Sequence, residues 1–282
     1  MTETQERSNG NDGRFRALNA VEKIRFVAFS IAVLGLLALN LLMTPPAVLL
    51  AGVTGWYQDL GTHQVHDMAI AAGLWVAVIL PLVLLLYRPA NRVNTILAPL
   101  AVAVPTAIMA FLAGSFLFPG FAIMSLLAVA AFLLHPAGRS AVRFDRVASV
   151  DRRVTGLLVV AAVPLLVYAG VELSKQLGPV NEHVVFVHYG GMANAALYVL
   201  LMGALAVFRQ RDWRFATWSA GLIAAFVGLA SIAYPASVSS LGLVGGGLLV
   251  IWAVAFVAVI EYVRRTSEEV PKTRDEPVPE PL

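Results

Sequence analysis

Eight stretches of this chain, residues 26–53, 68–87, 95–115, 117–134, 154–171, 184–208, 215–233 and 238–260, contain no Asp, Glu, Lys or Arg. A helix of about twenty apolar residues crosses the hydrocarbon core of a bilayer. Helices of a water-soluble domain show charged residues on their outer face every turn or two, and these runs show none. Strands of a membrane barrel alternate polar and apolar residues, which these runs do not. The expected fold class is therefore an all-α polytopic membrane protein with eight transmembrane helices. Composition agrees, with 59% hydrophobic residues, 13% charged residues and a mean hydropathy of +0.78.

The basic residues orient the spans. Every Lys and Arg except Lys175 falls in the N-terminal tail, in 88–92, in 139–153, in 209–214 or after Tyr262. Eight crossings put all of those segments on one side, so the positive-inside rule makes both termini cytoplasmic, in the cell membrane. The first run is too long for a signal peptide, follows a polar tail and lacks a small-residue cleavage pattern. The pI near 9.4 needs no nucleic-acid partner, because these cations face anionic lipid. The tails, 1–25 and 264–282, have a disordered composition. The absence of cysteine excludes disulfides, thiolate zinc sites, iron–sulfur clusters and covalent haem attachment.

The chain also repeats itself. Pro46 is followed after four residues by AGV at 51–53, and Pro164 by AGV at 169–171. Leu60-Gly61 answers Leu177-Gly178, His63 and His66 answer His183 and His188, and the Ser-x-x-aromatic-Pro of 115–119 answers that of 231–235. The order is preserved at nearly one offset. The reading is two four-helix repeats, 26–135 and 154–263, joined by a basic cytoplasmic linker, 136–153. Four spans each give both halves the same orientation, about an axis along the membrane normal. Pro46 and Pro164 are expected to kink their spans near the outer end. Gly242 and Gly245 to Gly247 are expected to let helices approach closely. Asn40 and Asn194 are expected to make interhelical hydrogen bonds, and His135 to end span 4 at the inner side.

The histidines then gather at the outer lip. From His66 to Arg88 and from His188 to Arg209 the helical rise is about 30–33 Å, the thickness of the hydrocarbon core. Both histidines therefore begin equivalent helices at equal depth, with His63 and His183 just ahead. Asp59, Asp67, Glu172, Glu182 and Lys175 complete the ionisable residues of that side. Trp56, Tyr57 and Tyr189 read as interfacial anchors. Packing of the halves about helices 2 and 6 would make His66 and His188 face each other. Two such imidazoles suit axial ligation of a b-type haem. Alternatively His63, His66, His183 and His188, with Asp67 or Glu182, suit a copper, zinc or iron ion. Met68 and Met192 nearby are either soft ligands or core filler.

Other chemistries lack their residues. No span carries a lysine for a retinal Schiff base, and no midplane carries a charge for a proton or ion relay. HExxH, GxSxG and P-loop motifs are absent.

Eight helices in two halves with outer histidines, over residues 26–263, resemble the haem A synthase family and, less closely, eight-span copper-resistance membrane proteins. The first resemblance implies that each half supplies histidines from two helices, with a Glu shortly ahead of one. His66 and His188 would match the even-helix ligands. Spans 4 and 8 carry no outer histidine, and the chain has no cysteine pair.

The functional expectation is a haem- or metal-binding membrane protein in electron transfer, metal handling or respiratory-complex assembly, with a membrane redox complex or a second copy as partner. The alternatives are a small-solute or lipid transporter using the seam between repeats, and a non-catalytic scaffold subunit.

Overall fold

The computed structural model describes residues 19–44, 46–47, 50–51, 63–137, 151–208 and 212–269. Residues 1–18 and 270–282 of the expected tails, the basic stretch 138–150, Trp56, Tyr57, Asp59 and Leu60-Gly61 lie outside the described residues. Residues 20–25 and 264–269, expected as disordered tail, and 152–153, expected as linker, are instead helical, because each continues the helix beside it. Those described form helices and turns, with no strand among them.

Six helices are long and apolar enough to cross a membrane: α1 (Ala20–Met43), α2 (Gln64–Leu86), α5 (Arg152–Gln176), α6 (His188–Phe208), α7 (Trp213–Ala233) and α8 (Gly242–Glu269). Two apolar helices are shorter, α3 (Leu97–Leu112) and α4 (Phe118–Leu134), at 16 and 17 residues. Among the described residues each of the eight uncharged runs thus holds one helix of 16 residues or more, and six of those eight meet the length needed for a span.

Local chemistry sets the ends. Asn19 and Glu22 form a reciprocal capping box at the start of α1, and Asp151 caps α5 through the Arg153 amide. At Pro46 a break replaces the expected kink within one helix, and residues 46–47 and 50–51 are helical again. The helix ends at Met43, because a residue ahead of a proline is driven out of the α region and Thr44 precedes Pro45-Pro46. Pro164 does lie inside α5. In α2 the segment Leu74–Ile79 is a π-helix, with the Leu80 amide donating to the Trp75 carbonyl. Pro81 explains it: lacking an N–H and crowding the carbonyl four residues back, it forces the preceding turn to widen.

The bundle has central and peripheral helices. α2, α6 and α7 are mostly buried, whereas α1, α5 and α8 show long apolar faces, including Val160, Val163, Val244 and Ile251, each more than 60% exposed. Such faces fit hydrocarbon and not water. α2 packs on α6 and α7, and α6 packs on α2 and α3. Asn194 of α6 donates to the Val102 carbonyl of α3 at 3.1 Å, as expected for an interhelical bond. Asn40 instead donates within its own helix, to the Leu36 carbonyl at 2.8 Å. Of the glycines at 242 and 245–247, only Gly246 makes a close approach to another helix, at Gly228 of α7.

A polar clasp closes the end opposite the histidines. Asp212 accepts from the Asn94 and Thr95 amides, the Thr95 hydroxyl and Arg92. Burial raises its pKa, opposed by the Thr95 hydrogen bonds and the Arg92 charge. Arg25 donates to the Leu133, Leu134 and His135 carbonyls at the end of α4. His135 is fully buried there, with its ring edge-on to Phe29.

Burial lowers the His135 pKa from 6.5 to about 4. The unfolded chain therefore takes up a proton at this residue before the folded one does. The stability it contributes is complete above pH 6.5 and falls as pH drops toward 4, by about 3 kcal/mol in all. Thermal unfolding of wild type and His135→Gln between pH 7 and 4 is expected to show that pH dependence in their difference. A pH-independent difference would refute it.

Candidate metal centre

The first turn of α2 supplies one pair of histidines. His63 ends the turn leading into the helix, and its carbonyl accepts from the Asp67 amide at 2.8 Å. His66, three residues on, shares its face, and both are buried, at 3% and 0% exposure. The second pair straddles a break. His183 lies in a short helix, Glu182–Val185, and His188 opens α6. Val187 between them has φ 62°, a left-handed conformation that a β-branched residue adopts only when its surroundings impose it. Its side chain packs against Met109 and Ala110. The backbone reversal held there brings His183 back over His188.

The four imidazoles form one cluster. Ring centroids are 4.4 Å apart for His63 and His183, 4.9 Å for His63 and His188, 4.9 Å for His66 and His183, and 5.2 Å for His66 and His188. One ligand nitrogen from each of His63, His183 and His188 lies within 4.8 Å of the others. The sequence reading paired His66 with His188; their rings do stack across the α2–α6 seam at 19°, but His66 is not part of that trio. Glu182 approaches His63 at 3.8 Å with its own side chain 60% exposed. Asp67 is not in the trio either, and its buried Oδ2 has no hydrogen-bond partner among the described residues. Met68 and Met192 pack in the hydrophobic core. Tyr189, expected as an interfacial anchor, stacks on His183 at 5.2 Å.

A polar chain behind the cluster fixes the state of His66. The Ser239 hydroxyl donates to Glu172 Oε2 at 2.6 Å, and Lys175 Nζ holds Glu172 Oε1 at 2.6 Å. Ser239 has one proton to give, so toward His66 Nε2, at 2.9 Å, its oxygen accepts. His66 therefore carries its proton on Nε2 and leaves Nδ1 as the bare nitrogen. That nitrogen is buried with no hydrogen-bond partner among the described residues, and so is His188 Nδ1. Neutral imidazole with one nitrogen hydrogen-bonded and the other free is the form that binds a metal. Tyr168 donates to the Ser239 carbonyl at 2.7 Å, and Ser239 itself sits at φ 64°.

Gln176 is the residue sequence reasoning missed. It is fully buried; its Nε2 donates to the Val184 carbonyl and its Oε1 accepts from the Gly190 amide, both at 2.9 Å. It thus ties the short helix and the start of α6 to the end of α5. The signal was present: Tyr168, Glu172 and Gln176 recur every four residues, a polar column on one face of an apolar helix. Ser239 carried no such signal.

Comparison of the chain with family models, curated proteins and solved structures finds no match.

Proposed function

We propose that this is an eight-span protein of the cell membrane, with both termini cytoplasmic, that holds a copper, zinc or iron ion at its extracytoplasmic end through His63, His183 and His188. The bare Nδ1 of His66 stands beside them, and the role is metal handling, electron transfer or assembly of a respiratory complex. The carrying observation is the convergence of three ligand nitrogens within 4.8 Å, from two separate parts of the chain, at a site without thiolates. Imidazole sets of this kind suit borderline divalent metals. A haem is the weaker fit, because its macrocycle would have to lie between rings that already stack at 5.2 Å.

The membrane orientation rests on charge. Lys175 is at the histidine end, whereas Arg25, Arg88, Arg92, Arg214, Arg264 and Arg265 flank the opposite helix ends. Two parallel repeats are supported by the matching of α2 on α7 with α6 on α3.

Metal analysis of the purified protein, with visible and electron-paramagnetic spectra, tests the reading. One equivalent of copper, zinc or iron per chain is expected, at the start or after reconstitution with each ion. A preparation that stays colourless and metal-free after all three would overturn it.

A further inference from the structure

A cavity of about 270 Å³ lies among α1, α2, α3, α4 and α6. None of the four histidines lines it, so it stands apart from the metal site, although Phe186 and Val187 contribute to both neighbourhoods. Its wall is built mostly from apolar side chains such as Leu36, Ile70, Leu74, Phe121 and Met124. Protein interiors rarely leave space of this size unfilled, and ligand pockets are apolar hollows with a few placed polar groups. The space among α5, α6, α7 and α8, which the repeat would make equivalent, is closed down to about 10 Å³.

Two backbone features keep the first space open. The π-helical turn of α2 contributes Leu74, Ala77 and Val78 to the wall, and such turns often mark functional sites. Gly73, just before it, also lines the cavity, and a Cβ placed there would meet no atom within 4 Å.

The polar groups in the wall are specific. Asn40 Nδ2 donates to the Leu36 carbonyl, and Asn194 Nδ2 donates to the Val102 carbonyl and the Thr106 hydroxyl. A carbonyl only accepts, so both amides are fixed with nitrogen toward the helix. Both residues line the cavity, and neither Oδ1 has a partner among the described residues. The hollow therefore offers two amide acceptors in a mostly apolar wall, whose other polar side chains are Thr44, Thr106 and Tyr198.

We propose that this cavity binds one neutral, membrane-soluble molecule whose apolar body fills the space and whose hydroxyl donates to Asn40 or Asn194. A lipid-borne hydroquinone and a diacylglycerol both have that chemistry. The full chain in nanodiscs, titrated under argon with decyl hydroquinone, its dimethyl ether and dioctanoylglycerol, tests this. At least one hydroxyl-bearing probe is expected to bind tenfold or more tightly than the ether, and the stronger of the two identifies the source. Gly73→Phe should weaken that binding at least tenfold with helical circular dichroism and metal content unchanged. At least one of Asn40→Leu and Asn194→Leu should weaken hydroxyl binding tenfold and leave the ether's affinity unchanged; wild-type hydroxyl affinity in both variants would overturn the proposal. Equal binding of the ether, no hydroxyl binding, or wild-type affinity in Gly73→Phe would overturn the proposal, whatever the metal analysis shows.

Discussion

The full chain carrying both His63→Ala and His188→Ala is expected to retain less than a tenth of the metal bound by wild type after identical reconstitution. These two residues belong to the nitrogen trio and come from opposite sides of the α2–α6 seam. Their joint loss leaves His183 as its remaining member, too few ligands for the tetrahedral or open three-histidine sites that imidazole sets form. The residues behind the site should act by degree. Ser239→Ala frees His66 Nε2 from its hydrogen bond and deprives Glu172 of a donor. Loss of the orienting partner of a ligand lowers metal affinity about 10–100-fold; His66 stands beside the trio and is not in it, so a fall of about tenfold or less is expected. Glu182→Gln, at an exposed carboxylate 3.8 Å from His63, should change affinity less than about threefold, the scale of a surface ion pair. Wild-type metal content in the double variant would refute the site, because no other trio of His, Cys, Asp or Glu forms a ligand group among the described residues.

The long uncharged runs made the helices legible, because burial of the backbone in lipid admits few alternatives. Their ends were less legible where two prolines compete with an apolar run. Residues 26–53 read as one span, but Pro45-Pro46 stops α1 at Met43. Depth from the inner arginines put the four histidines at one level, since rise per residue is fixed, and their ring centroids lie within 6.3 Å of one another. It could not say which nitrogens converge. That depends on the Val187 reversal and on Gln176, side chain and backbone choices that periodicity does not encode. Ser239 was beyond reach for the same reason: a serine of the α7–α8 turn acquires its role only when α5 and α2 bring Glu172 and His66 to either side of it. The π-helical turn was hidden in plain view at Pro81, inside a run read for hydrophobicity alone.

Gly246→Ala and Gly247→Ala, neighbours differing by one methyl each from wild type, are expected to behave oppositely. A Cβ on Gly246 would lie 2.6 Å from the Gly228 carbonyl oxygen, 3.0 Å from Ile232 and 3.1 Å from Ser231. The reciprocal Cβ on Gly228 would lie 2.7 Å from the Gly246 carbonyl oxygen. Backbone meets backbone here, so no rotamer change relieves the clash and α8 must move off α7. Overpacking of this kind costs about 1–3 kcal/mol. α7 and α8 share the most extensive helix contact in the bundle, so the upper part of that range is expected. Gly247 has nothing within 4 Å of its Cβ, and alanine there should stabilise by about 0.5–1 kcal/mol through helix propensity. The effect of Gly246→Ala should also reach the histidines. Ser239 and Ser240 lie just ahead of α8, and Ser240 and Leu241 are bonded to Ser231 of α7. An outward shift of α8 therefore pulls the Ser239 hydroxyl from between Glu172 and His66. Thermal midpoints and metal affinity of both variants in the same detergent decide the matter. A lowered midpoint with weakened metal binding in Gly246→Ala, against an unchanged or raised midpoint in Gly247→Ala, is the expected pair. Equal midpoints would mean that α8 does not meet α7 through Gly246.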